Sequence, residues 1–76
     1  MAGDASVEQL RAELKEVEND LANIRRTAAE IRSGVGEADD PADRGQLIQS
    51  AAEQDALAEN LEVRRRDLLS RIAEAG

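Results

Sequence analysis

No cysteine, histidine, phenylalanine, tyrosine or tryptophan occurs in this chain of 76 residues. Those absences exclude whole classes of chemistry. Without histidine or cysteine there is no zinc site, no thiol nucleophile and no imidazole to serve as acid or base. Without cysteine there is no disulfide framework either, so nothing argues for secretion. Without aromatic rings, single-stranded bases have no stacking platform, and a deep ligand pocket lacks its usual walls. Long apolar runs are also missing. No stretch approaches membrane-spanning length, and the opening MAGDASVEQL has neither the basic nor the apolar region of a signal peptide. Finally, positive charge is outnumbered, with 10 basic residues against 17 acidic ones. The formal charge is −7 at pH 7, and an acidic chain repels phosphate, so nucleic acid and anionic membranes are poor partners. The expectation is a soluble cytoplasmic protein with no direct nucleic-acid contact, no membrane association and no cofactor.

What the chain does have is charge and helix formers. Charged residues make up 36% of it, and alanine, glutamate, leucine and arginine dominate. That is the profile of long helices and coiled coils. In the first half, apolar residues fall at Val7, Leu10, Leu14, Val17, Leu21, Ile24, Ala28 and Ile31. The steps alternate three and four without a break, a period of 3.5 that marks a coiled-coil seam. Ser6 with Gln9 three residues on makes a capping box before it. After it, Gly34 suits a left-handed C′ position, Val35 its hydrophobic partner, and Arg32 can reach the last carbonyls. Helix one is therefore expected over about 6–33.

The connection is expected over about 34–40, and helix two over about 41–74. Asp40 is a candidate N-cap, Pro41 fits the first helical position, and Asp43 sits where the helix dipole favours negative charge. The second seam runs Leu47, Ala51, Gln54, Ala58, Leu61, Arg65, Leu68, Ile72 and Ala75. Gln54 reads as a polar layer that sets register, and Arg65 as a seam residue reaching out to pair with Glu18 or Glu13. Glu62–Arg66 and Asp67–Arg71 have the favourable i, i+4 order. A short connection makes the helices antiparallel neighbours. The fold class follows: all-α, an antiparallel two-helix coiled-coil hairpin forming a single domain.

Such a hairpin has one narrow core, and domains of this size rarely gain more than ~3–5 kcal/mol from one core. Ile48, Leu57, Val63 and Leu69 fall beside the seam and would stay partly exposed in a monomer. They are the expected seam for an oligomer or partner, most simply a homodimer that completes a four-helix bundle, in an antiparallel or tip-offset arrangement.

The chemistry-bearing candidates are few. Glu37, Asp39, Asp40 and Asp43 cluster around the connection. Two such carboxylates could in principle bind a divalent cation such as Mg2+, but their spacing does not match a calcium-binding loop; the readings weighed beside it are a solvated cap and an acidic tip that contacts a partner. The run Arg64, Arg65, Arg66 steps 100° per residue around the helix and cannot form one patch. Ser6, Thr27, Ser33, Ser50 and Ser70 have no imidazole and no nucleophile-elbow context. No catalytic or metal-binding residue is expected, and the chain does not read as an enzyme.

DPADRG, Asp40 to Gly45, is similar to the coiled-coil tip of the DksA/TraR family of RNA polymerase regulators, which reads D-x-x-D-x-A. Asp40 and Asp43 match, and Gly45 stands in place of the alanine. The segment AAEQDALAENLEVRRRDLLSRIAEA likewise resembles that family's second coiled-coil helix. The resemblance implies a hairpin that enters the secondary channel of RNA polymerase and brings Asp40 and Asp43 toward the active centre. It does not extend to the family's cysteine zinc finger, since the chain has no cysteine. Gre-type factors also insert an acidic tip, but their G-D-L-S-E-N motif is missing. Two expectations therefore stand side by side: a protein-interaction module acting through its apolar seam and acidic tip, and a polymerase-channel regulator.

Overall fold

A computed structural model describes the backbone of residues 2–75 and the side chains of residues 7–75. The chain forms two helices, α1 over Ala2–Glu37 and α2 over Pro41–Ala75. They lie side by side and antiparallel, joined by the three residues Ala38, Asp39 and Asp40. The result is a rod of 60 × 14 × 12 Å. Its radius of gyration is 17.2 Å, against about 11 Å for a compact domain of this length. The hairpin is thus extended enough that nearly every residue is at or near the surface. Among the described residues, no helix is long and apolar enough to cross a membrane.

The period of 3.5 is what joins the two helices. In α1, Val17, Leu21 and Ala28 are buried, and Val7, Leu10, Leu14, Ile24 and Ile31 are half-buried. In α2, Ala51 and Leu68 are buried, and Leu47, Gln54, Ala58, Leu61, Arg65 and Ile72 are half-buried. Of the expected seam positions, only Ala75, the last residue of α2, is exposed. Val17, Leu21 and Leu68 form the core cluster, with Leu10, Leu14, Ala58 and Leu61 packed against it.

The helix ends differ from the sequence expectation in an instructive way. α1 does not stop at Gly34. No glycine has positive φ among the described residues, so no left-handed cap forms there, and the helix continues through Gly34, Val35 and Gly36. The seam repeat explains this, because Val35 and Ala38 fall four and seven residues beyond Ile31, and both are half-buried. Packing of one more turn outweighs the ~1 kcal/mol by which each helical glycine disfavours it. Gly34 faces α2 closely: a methyl group there would sit 3.7 Å from Leu47 Cδ1. At the other end α1 begins at Ala2, so the Ser6 backbone is already helical rather than a cap. Ala2 and Ala5 are strong helix formers, and a nucleated helix extends through them readily. The Ser6 side chain lies outside the described residues.

α2 begins as expected. Asp40 Oδ1 accepts a hydrogen bond from the Ala42 backbone N–H at 3.0 Å, and its carbonyl accepts the Arg44 N–H at 3.0 Å. Pro41 occupies the first helical position, where its missing N–H has no consequence. Asp43 lies in the first turn, where negative charge meets the positive end of the helix dipole.

Candidate interaction surfaces

The acidic tip is built by the two helix ends. Glu37 closes α1, Asp39 and Asp40 form the connection, and Asp43 opens α2. All four side chains are exposed. Their roles are not equivalent. Asp40 is committed to the α2 cap. No side-chain bond engages Glu37, Asp39 or Asp43 among the described residues. Three carboxylates at the end of the rod are therefore held in place by backbone alone. Among the described residues, no three carboxylates come together in a way that could hold a metal ion.

One cation organises this tip, and the sequence reading did not assign it. The Arg44 guanidinium donates from Nε to the Ala38 carbonyl at 2.7 Å and from Nη2 to the Asp39 carbonyl at 3.5 Å. Those carbonyls follow the end of α1, where a glycine cap was expected to serve. The α1 end is closed instead by the Ala38 N–H reaching the Gly34 and Val35 carbonyls at 3.0 and 3.4 Å, with Arg44 of the next helix covering the exit. A cation here also meets the negative end of the α1 dipole. The only sequence signal was an arginine four residues after the Asp40 N-cap, too common a spacing to interpret. Arg32 was the expected cation for these carbonyls. It pairs with Asp55 across the hairpin instead, because α1 runs on past it and leaves its neighbouring carbonyls bonded within the helix.

The long faces of the rod carry the ion pairs. On one flank Arg25 pairs with Glu62 and Arg32 with Asp55. Glu18 lies on the same flank and accepts from Arg65 Nε at 3.1 Å, one of the two partners expected for that seam arginine. On the opposite flank Arg64 bonds Glu13 at 3.0 Å. Consecutive arginines thus point to opposite sides of the hairpin, as a 100° step requires. Asp67 and Arg71 make the expected i, i+4 pair at 3.1 Å. All of these pairs are at least partly solvated, and exposed pairs contribute only ~0–1 kcal/mol each. They set which faces meet more than how strongly.

The four apolar residues beside the seam do not share a face. Ile48 lies one heptad before Asp55, and Leu69 one heptad after Glu62, so both are on the Arg25/Arg32 flank. Leu57 lies one heptad before Arg64, on the opposite flank. Val63 points away from α1 altogether. Their exposures are 57% for Ile48, 40% for Leu69, 49% for Leu57 and 61% for Val63. The sequence reading grouped them by their distance from the seam, although their heptad positions already differ. The structure separates them into a pair, a lone leucine and an outward valine.

Two open grooves lie on the Arg25/Arg32 flank. Toward the loop, Val35, Ile48, Ala51 and Ala52 line an apolar groove with Arg32 and Asp55 at its edge. Further along, Leu21 and Ala22 floor a second groove rimmed by Glu18, Arg25, Glu62 and Arg65. Small alanines leave the first groove unfilled, since no longer side chain of the same chain reaches over it.

Compared with known proteins, the chain matches no family model, no curated protein and no solved structure.

Proposed function

We propose that this chain is a non-catalytic, cytoplasmic helical-hairpin module that binds a protein partner through its acidic tip. The observation that carries the reading is the division of labour at the tip. Asp40 and Arg44 complete the turn, while Glu37, Asp39 and Asp43 add three exposed charges that no local bond requires. A partner recognised by such an end presents arginine or lysine, and the charge sets approach and orientation more than affinity. The test is a bait carrying Glu37→Gln, Asp39→Asn and Asp43→Asn together, which leaves the Asp40 cap untouched. A protein retained from lysate by the parent chain should be lost with this variant while helicity is unchanged. Equal retention of every partner by both baits contradicts the reading.

A narrower reading follows from the DksA/TraR resemblance, in which the tip enters the secondary channel of RNA polymerase. The elongated shape favours it, with a Cα trace 60 Å long and 14 Å across, because a slender rod with an acidic end suits insertion better than lateral docking. Its test is transcription by purified polymerase with and without the chain. An effect abolished by Asp43→Asn in a folded protein supports it. No effect of the parent chain at saturating concentration overturns it.

A further inference from the structure

We infer that the Arg25/Arg32 flank is a self-association surface, on which two copies pack face to face about a two-fold axis parallel to the rod, with both acidic tips at the same end. The charge order along the flank selects this arrangement. Three cross-helix pairs form rungs on it: Arg32 with Asp55, Arg25 with Glu62, and Glu18 with Arg65. A two-fold axis along the rod places α1 of one copy opposite α2 of the other at the same height. Each rung then meets its own reverse. Arg32 and Arg25 face the second copy's carboxylates, and Glu18 faces its arginine. An antiparallel pairing instead sets α1 against α1 and α2 against α2; centred on the middle rung, it sets Arg25 on Arg25 and Glu62 on Glu62. It would bring Ile48 near Leu69, but at the cost of like charges along the interface centre. Juxtaposed like charges are a strong bar to a wrong pairing.

The apolar content of the flank supplies the attraction that charge alone does not. In the tip-to-tip arrangement the exposed Ile48 of each copy lies level with the other's groove of Val35, Ala51 and Ala52. Small residues at the groove floor let two helix pairs approach closely. A face running the 60 Å length of the rod can bury on the order of 800 Å2 per partner, the size of a standard interface. The opposite flank does not offer the same: it carries the single cross-helix rung Glu13–Arg64 among the described residues. Repulsion between the two tips opposes the pairing. Those carboxylates are exposed, and salt screens them beyond about 8–10 Å. The inference does not rest on what the tip binds.

Two measurements test it together. Sedimentation at about 100 µM should show twice the 8.2 kDa monomer mass. Ile48→Lys should weaken the dimer at least ~10-fold while helicity is retained, and Val63→Lys, on the outward face, should leave it unchanged. Orientation is read from a nitroxide on Gln46→Cys, the only thiol in the molecule and outside the proposed interface. Tip-to-tip packing predicts a label separation of roughly 20–35 Å, the width of two helix pairs. A monomer mass, a separation near the rod length of 60 Å, or a dimer weakened by Val63→Lys but not by Ile48→Lys overturns the inference.

Discussion

The half of the rod near the chain ends and the half near the loop share one seam but fill it differently. Toward the chain ends, Leu10, Leu14, Val17 and Leu21 meet Leu61 and Leu68, and Leu68 is fully enclosed. Toward the loop, the buried residues are Ala28 and Ala51, with Gln54 half-buried in the same seam. An alanine lacks three carbons of a leucine, so a layer built from alanine gives up ~2 kcal/mol of burial. The loop half also contains Gly34, Gly36 and Gly45, all in helical conformation. One half holds the hairpin together. The other holds its tip in place with a cap, an arginine and close alanine packing.

The contrast can be broken most strongly at Leu68. Leu68→Ala removes the one fully enclosed large side chain among the described residues and should cost about 3 kcal/mol, read from urea denaturation followed by circular dichroism. For a chain with one small core, that loss should leave much of the population unfolded at 25 °C. Ile48→Ala, of similar chemistry but exposed in the single hairpin, should change stability by less than ~0.5 kcal/mol when read at a concentration low enough to keep the chain monomeric. Equal effects at the two sites would remove the distinction between the halves.

Filling in the glycines should sharpen the loop half instead. Gly36 and Gly45 have open space where a methyl would go, and Gly34 offers an ordinary contact. With no positive φ to accommodate, each Gly→Ala change should stabilise the hairpin by ~0.5–1 kcal/mol. The thermal midpoint of the triple variant should rise accordingly. A fall would show that these glycines serve a conformation other than helix.

Smaller still are the cap and the surface pairs. Asp40→Ala should cost about 1 kcal/mol through the lost bond to the Ala42 N–H, whereas Asp39→Ala should be near neutral. The coupling between Glu13 and Arg64, both about half exposed, should be ~0.2–1 kcal/mol in a double-mutant cycle and should shrink as salt is added.

Much of the hairpin was legible in the sequence because packing here is one-dimensional. A strict 3-4 alternation leaves only one stripe to bury, so the seam positions from Val7 to Ile31 and from Leu47 to Ile72 could be read directly. Asp40 was legible for the opposite reason, since a cap depends on its nearest neighbours. The misreadings lie between these scales. Gly34 looked like a stop because local propensity points that way, but Val35 and Ala38 continue the stripe and carry the helix past it. Arg44 could be assigned only once the turn had brought it back onto the Ala38 carbonyl. The sides taken by Ile48, Leu57, Val63 and Leu69 follow from their heptad positions in α2, and only the α1 residues that face each side had to come from the structure.

Native-state amide exchange tests the central contrast most directly, because it reads the opening of each turn separately. The account predicts the slowest exchange in the turns around Leu14–Leu21 and Leu61–Leu68, and exchange at least ~10-fold faster from Gly34 through Gly45. Uniform protection along both helices, or the greatest protection beside the loop, would contradict it.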